Sequence, residues 1–251
     1  MRTKVIDTQR AYENILVTKR GWVSHWPQKA VFIFSGGMDS TSTIARLLSE
    51  KKIELFPLFV NRGQTNLEYE RKSVIFFNEF FKKEHPDLYH DYFELETDVP
   101  PSHIKESLKL YTKKHGHPLR NTILQMLGVQ YAISLFSKKC EIKTVFCAQV
   151  PDDPFPHSTL TSLRANTVNV CENLGEWDWQ VTSPNMDPLL SEDYGKTEMI
   201  RWCSKNNIPL DKTRSCYSEK PMHCGVCLTC TRRKEAFKIA KVEDKTSYEV
   251  Q

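Results

Sequence analysis

The chain has 251 residues, 39% of them apolar, and a formal charge of +4, enough sequence for a full hydrophobic core and too little net charge to announce nucleic acid. Its lysine pairs, Lys82-Lys83, Lys113-Lys114 and Lys138-Lys139, are dispersed and read as solvated helix faces. No apolar run approaches the roughly 18 residues of a membrane helix, and the opening MRTKVIDTQRAYEN lacks the apolar stretch of a secretion signal, so a cytoplasmic protein with reduced cysteines is expected.

In chain order, residues 1–28 form an N-terminal arm whose GWVSHWPQ places Trp22 and Trp26 four apart. A leading helix or arm packed on the sheet is expected, with a surface for a protein partner as the alternative. Apolar runs follow at Ala30-Phe34, Ile53-Val60, Tyr92-Leu95 and Thr144-Val150, with a weaker one at Gln180-Thr182; the first, second and fourth have the Val, Ile, Leu and Phe density of buried parallel strands. Between them Thr41-Lys51, Leu67-Lys83, Asn121-Ser137 and Leu160-Leu174 repeat apolar residues at spacings of three and four, the helical period. The alternation predicts an α/β fold, a doubly wound, mostly parallel five-stranded sheet with helices on both faces. The expected division is the arm, an α/β domain at 29–206, and a small C-terminal segment with a terminal helix at 207–251.

The first strand runs into Ser35-Gly36-Gly37-Met38-Asp39-Ser40 and then a helix. Glycines at a strand-to-helix turn let backbone amides approach an anion, and the helix adds unpaired N–H groups and the positive end of its dipole. Ser35, Ser40 and Thr41 supply hydroxyls. This turn carries neither a Gly-x-Gly-x-x-Gly nor a Gly-Lys-Ser/Thr ending, so it is neither a dinucleotide fingerprint nor a Walker loop.

Near the C-terminus Cys216, Cys224, Cys227 and Cys230 are spaced C-x₇-C-x₂-C-x₂-C. Two steps sharing Cys227 make a compact knuckle, with Gly225 easing the turn, and Cys216 can close a tetrahedron. Four thiolates suit a closed structural zinc site. An iron–sulfur cluster is the open alternative, as is His223 in place of one thiol. Cys140, Cys147, Cys171 and Cys203 read as small core residues on strands and helices.

The 35–40 stretch resembles the SGGxDS signature of the PP-loop ATP pyrophosphatases, which cleave ATP between the α and β phosphates. The resemblance implies that Ser35, Gly36, Gly37, Met38, Ser40 and Thr41 surround the pyrophosphate, that Asp39 lies near Mg²⁺, and that Phe59 and Val60 meet the adenine through backbone groups. DPLLSEDYGKTEMI, residues 187–200, is similar to a family segment whose lysine approaches the phosphates, and Lys196 is the match. Together with the four cysteines, the segment PLRNTILQMLGVQYA (118–132), in which Arg120 and Asn121 match, and TRSCY (213–217) make the chain after residue 29 look like the 7-cyano-7-deazaguanine synthase family. That resemblance implies ATP, Mg²⁺ and structural Zn²⁺ as cofactors, a homodimer, and adenylation of a deazaguanine carboxylate for conversion by ammonia to the nitrile. Asp39 and Lys196 are the expected catalytic pair.

One segment departs from that pattern. Where those synthases carry Tyr-Pro-Asp-Cys-Arg, this chain reads QVPDDPFPHSTLTSLR (149–164), keeping Pro156 but placing His157, Ser158 and Thr159 at the last three positions. With Arg120 and Asn121, the residues expected to face the substrate are therefore Asp152, Asp153 and His157. Relatives also occur in antiphage defence systems, which implies a second reading: transfer of the adenylate to another amine, or a different carboxylate. A tRNA-acting PP-loop enzyme would call for a cysteine near the loop mouth and a basic RNA-binding domain, neither of which is evident. A protein-interaction module on an inactive nucleotide fold is opposed by the complete set of residue types in the phosphate loop.

Overall fold

The computed structural model describes residues 2–153, 155, 157–191 and 194–250. The elements are α1 (Arg2–Arg20), β1 (Lys29–Ile33), α2 (Met38–Arg46) with a π-helical extension Leu47–Lys51, β2 (Glu54–Asn61), α3 (Leu67–Glu84) and β3 (Phe93–Glu96). The short helices α4 (Ser102–Lys105) and α5 (Lys109–His115) precede α6 (Arg120–Ser134), which tightens into a 3₁₀ turn at Leu135–Lys138. Then come β4 (Thr144–Phe146), α7 (Leu160–Leu174), β5 (Gln180–Thr182), α8 (Lys196–Lys205), a 3₁₀ turn Leu210–Lys212 and α9 (Leu228–Ala240). The strands form one five-stranded sheet in the order β3-β2-β1-β4-β5 with helices on both sides, the expected α/β class.

Two compact units make up the chain, Met1–Ile33 with Asp98–Asp193, and Phe34–Thr97 with Tyr194–Gln251. In the first, β1 pairs in parallel with β4 (Val31 opposite Val145) and β4 with β5 (Val145 opposite Val181). Val31, Val145 and Val181 are fully buried, as strands covered on both faces require. Helix α1 packs against α7. There the buried Arg164 guanidinium grips the fully buried Asp187 through two hydrogen bonds of 2.7 and 2.8 Å and also reaches Glu13 and Ser24 of the arm. Arg20 stacks its guanidinium on the Trp22 ring at 3.5 Å, and the Trp26 ring meets Phe146 edge-on. The arm is thus a helix plus a loop fastened by charge-assisted bonds.

Strand β4 is shorter than its apolar run. Pairing stops at Phe146, and although the Cys147 amide still reaches Thr182 O at 3.1 Å, the chain beyond it is held by side chains: Gln149 takes up Cys147 and the His157 carbonyl, so Val150 buries itself in a loop. Helix α7 starts where Thr159 Oγ1 accepts the Ser162 amide at 3.1 Å and ends at Gly175 in the left-handed region, the N-cap and C-cap chemistry of an ordinary helix. Cys147, Cys171 and Cys203 are buried as expected, whereas Cys140 is only half-buried, in the loop beyond the 3₁₀ turn.

In the second unit β2 pairs in parallel with β3, Phe59 opposite Glu94 and Val60 opposite Leu95. Helices α8 and α9 pack on Met38 of α2 through Ile200, Cys203, Leu210, Ala236, Phe237 and Ala240.

Candidate functional site

The 35–41 loop is held in the second unit by bonds to its backbone. Gly36 adopts φ +69°, and a Cβ there would stand 2.9 Å from Glu70 O and 3.0 Å from Ser73 Cβ, so both conformation and space demand glycine. Its carbonyl accepts Ser73 Oγ at 2.7 Å and the Arg214 amide at 2.9 Å. Gly37 is the extended N-cap of α2, and the helix begins at Met38 rather than at Thr41 as the apolar pattern predicts. The first intrahelical bond runs from Thr41 N to Gly37 O at 3.0 Å, so the amides of Met38, Asp39 and Ser40 lie in the opening turn, where a helix offers no internal acceptor. Ser35 Oγ and Ser40 Oγ are 3.1 Å apart, and Ser40 Oγ donates to Gly37 O.

Lys196, the first residue of α8, donates its ammonium to Asp39 Oδ2. Among the described residues, the other carboxylate oxygen, Asp39 Oδ1, and the hydroxyl of the fully buried Thr41 find no hydrogen-bond partner. Burying such atoms unpaired costs about 1–3 kcal/mol each. Phe59 and Val60 have buried side chains and sit inside β2, which continues to Asn61. Phe34 N bonds Leu58 O at 2.8 Å, which brings the strand and the loop entrance together.

Four sulfurs gather in the same unit. Those of Cys216, Cys224, Cys227 and Cys230 lie within 4.8 Å of one another, with Cys216 and Cys227 at 3.9 Å. Four thiolates about 2.3 Å from one ion would be separated by about 3.8 Å, so the cluster fits a tetrahedral metal. Amides already point at it: Ser218 N and Cys224 N reach Cys216 Sγ at 3.4 and 3.3 Å, and Cys227 N reaches Cys224 Sγ at 3.3 Å. Burial works against a thiolate at Cys227, but hydrogen bonds from the Thr229 hydroxyl and the Cys230 amide outweigh it and bring that thiol down to about 6. Gly225, with φ +79°, would drive any Cβ into Val250 O at 1.9 Å. His223 is outside the group; its buried ring packs edge-on against Tyr248.

The expected substrate residues fall in the first unit. Arg120 opens α6 and donates to Asn121 Oδ1 at 3.2 Å, while Asn121 Nδ2 donates to the buried Ser158 Oγ at 3.3 Å. Burial first, and then the neighbouring Arg120 charge, push the His157 imidazole below its ordinary value. Its ring stacks on Phe155 with centroids 5.3 Å apart. Asp153 closes its own turn by accepting Phe155 N at 3.4 Å, and Asp152 is exposed; Pro156 lies outside the described residues. Two buried amides escaped the sequence reading. Gln149 Nε2 holds the His157 carbonyl at 2.6 Å, and Gln125 bridges Gln149 and Asn166. Their only sequence signal is a polar residue within an apolar helix and beside a strand.

Residues 29–241 match the family model described as queuosine biosynthesis protein QueC. A curated 7-cyano-7-deazaguanine synthase from Rickettsia bellii is 28% identical over 246 residues, covering 88% of this chain and 98% of its own. One from Sulfurovum sp. is 29% identical over 234 residues, with coverage of 88% and 98%. The 7-cyano-7-deazaguanine synthase 1 of Desulfitobacterium hafniense is 26% identical over 227 residues, with coverage of 84% and 92%.

Proposed function

The chain belongs to the QueC family, and on that premise we propose that it spends ATP to activate a deazaguanine carboxylate, 7-carboxy-7-deazaguanine, which ammonia converts to 7-cyano-7-deazaguanine. The observation that carries the reading is the clamped 35–41 loop with Lys196 on Asp39 beside it and two buried polar atoms, Asp39 Oδ1 and Thr41 Oγ1, unsatisfied among the described residues.

A carboxylate is a poor acylating agent because oxide is its leaving group. Attack of one carboxylate oxygen on the α phosphorus of ATP breaks the bond to the bridging oxygen and gives an acyl adenylate plus pyrophosphate. Ammonia then displaces AMP, giving the amide. A second ATP adenylates the amide oxygen in the same way, and loss of AMP with the nitrogen-bound protons leaves the nitrile. In this scheme Gly37, Met38, Asp39 and Ser40 present amides to the departing pyrophosphate, Ser35, Ser40 and Thr41 add hydroxyls, and Lys196 follows the developing charge. Main-chain atoms at Phe59 and Val60 seat the adenine. Asp39 would hold Mg²⁺, which when bound neutralises charge on the phosphates. The four cysteines would hold Zn²⁺ as a closed structural site, with no open position for a reacting group.

Arg120, Asn121, Asp153 and His157 supply the contacts to the carboxylate substrate, with Arg120 also able to meet an anionic phosphate. His157 stands where a carboxylate is usual in the resembled family, and an imidazole reads a heterocycle edge differently from a carboxylate. That substitution favours one second reading, in which the adenylate is passed to an amine other than ammonia. The experiment is mass spectrometry of the products formed from 7-carboxy-7-deazaguanine, ATP, magnesium and ammonium. A nitrile supports the full reaction and an amide or adenylate that stops there supports the second reading; no product of any kind from this carboxylate overturns both.

A further inference from the structure

We propose that Arg214 is a positioning residue that couples the cysteine cluster to the phosphate loop, so that metal occupancy sets the geometry in which ATP is bound. The proposal rests on the reading of residues 35–41 as the phosphate site.

Arg214 faces two ways. Its amide donates to Gly36 O at 2.9 Å, and its own carbonyl lies 3.5 Å from where a Cβ on Gly37 would stand. Its guanidinium turns in the opposite sense, into the segment that joins two of the metal-ligating thiols. There it donates to the carbonyls of Ser218, Lys220 and Pro221, the last two at 2.8 and 3.1 Å. It also lies over the Tyr69 ring of α3 at 4.8 Å. Arg214 is almost fully buried, so these bonds form away from competing water.

A second route runs parallel to the first. Asn66 Nδ2 donates to Cys216 O at 2.9 Å and to Glu70 Oε1 at 3.0 Å, and the Glu70 backbone carbonyl is the wall against Gly36. Upstream, Thr213 Oγ1 accepts the buried Arg233 guanidinium at 2.8 Å. Residue 213 is therefore held, Cys216 would be a metal ligand, and Arg214 and Ser215 between them join the cluster to the Gly36 clamp. A metal that draws Cys216 toward Cys224, Cys227 and Cys230 would hold that path taut; without it, the 216–224 segment keeps hydrogen bonds, the Lys220–Glu249 ion pair and the His223–Tyr248 ring contact, and a displacement at Cys216 reaches Gly36 through Ser215 and Arg214.

The test is a cycle on the full chain, wild type and Arg214→Ala, each zinc-replete and chelator-stripped. Metal content is read by elemental mass spectrometry, ATP affinity by calorimetry with magnesium, and protection of residues 35–41 by hydrogen exchange. Stripping wild type is expected to weaken ATP binding about tenfold, the scale of one buried charge-assisted bond, and to speed exchange in 35–41. Zinc-replete Arg214→Ala keeps its metal yet shows losses of the same kind, and stripping it adds less than stripping wild type does, because the guanidinium route is already gone and only the backbone and Asn66 routes remain. Arg214→Lys, which retains donors for the carbonyls, recovers part of the affinity and stands in should the alanine variant fail to fold. Unchanged affinity and exchange in stripped wild type with intact circular dichroism, or penalties that simply add, overturn the coupling. Should zinc-replete wild type fail to bind ATP, the phosphate-site reading falls, and metal-dependent protection of 35–41 alone decides the Arg214 link.

Discussion

Alanine at position 36 perturbs the phosphate loop where it has least freedom. A φ of +69° costs alanine about 1 kcal/mol relative to glycine. The new Cβ would press on Glu70 O at 2.9 Å, a backbone atom in α3 that cannot swing aside, so relief comes from the loop itself. Movement there weakens the bonds that Ser73 Oγ and Arg214 N donate to Gly36 O, each worth about 1 kcal/mol. The sum for Gly36→Ala is about 2–4 kcal/mol, which lowers Tm by about 5–15 °C for a chain of this size. Thermal melting and ATP titration on the same preparation measure it, and ATP affinity is expected to fall by about tenfold or more. A variant that melts with the wild type and binds ATP as tightly would refute the claim that this backbone geometry is what the loop requires.

Arg164→Ala removes the partner of a fully buried carboxylate and is expected to cost about 3–5 kcal/mol at neutral pH, measured by denaturant unfolding. Burial alone would raise the Asp187 carboxyl, but the Arg164 fork, with Ser24 and Thr182, holds it below the usual range. In wild type its contribution is present above the unfolded value of about 3.9 and is lost as pH falls through the lower folded value. In Arg164→Ala burial wins, the carboxyl rises, and the gap to wild type narrows as the medium is acidified; a gap independent of pH would contradict the ion-pair account. Gly128→Ala places a Cβ 2.7 Å from Val145 Cγ1 and 2.9 Å from Ile33 Cδ1 and should destabilise by about 1–3 kcal/mol through overpacking, read as a lower Tm. Zinc added to metal-free protein is expected to release protons, since thiols must ionise to bind; indicator-dye titration with no proton release would speak against a thiolate site.

Much of the fold was legible because periodicity and caps agreed. Leu160–Leu174 and Gln180–Thr182 are found with the bounds read from their patterns. Helix α2 begins three residues early because apolar spacing does not register a glycine N-cap, and β4 ends early because Gln149 captures the chain. The four cysteines were readable from spacing alone, and the structure removes His223 by packing it on Tyr248. The bonds of Arg214, Asn66 and Gln125 were not readable. Each side chain meets partners distant in sequence or turns back on its own loop, and which way a buried polar side chain points is a tertiary fact that no local pattern encodes.

The most direct test of carboxylate activation at this loop is incorporation of labelled pyrophosphate into ATP, with 7-carboxy-7-deazaguanine and magnesium present and ammonium withheld. Exchange that requires the carboxylate and drops to background in Lys196→Ala and Asp39→Ala is the expected result. ATP binding retained by the wild type with no carboxylate-dependent exchange would contradict the account.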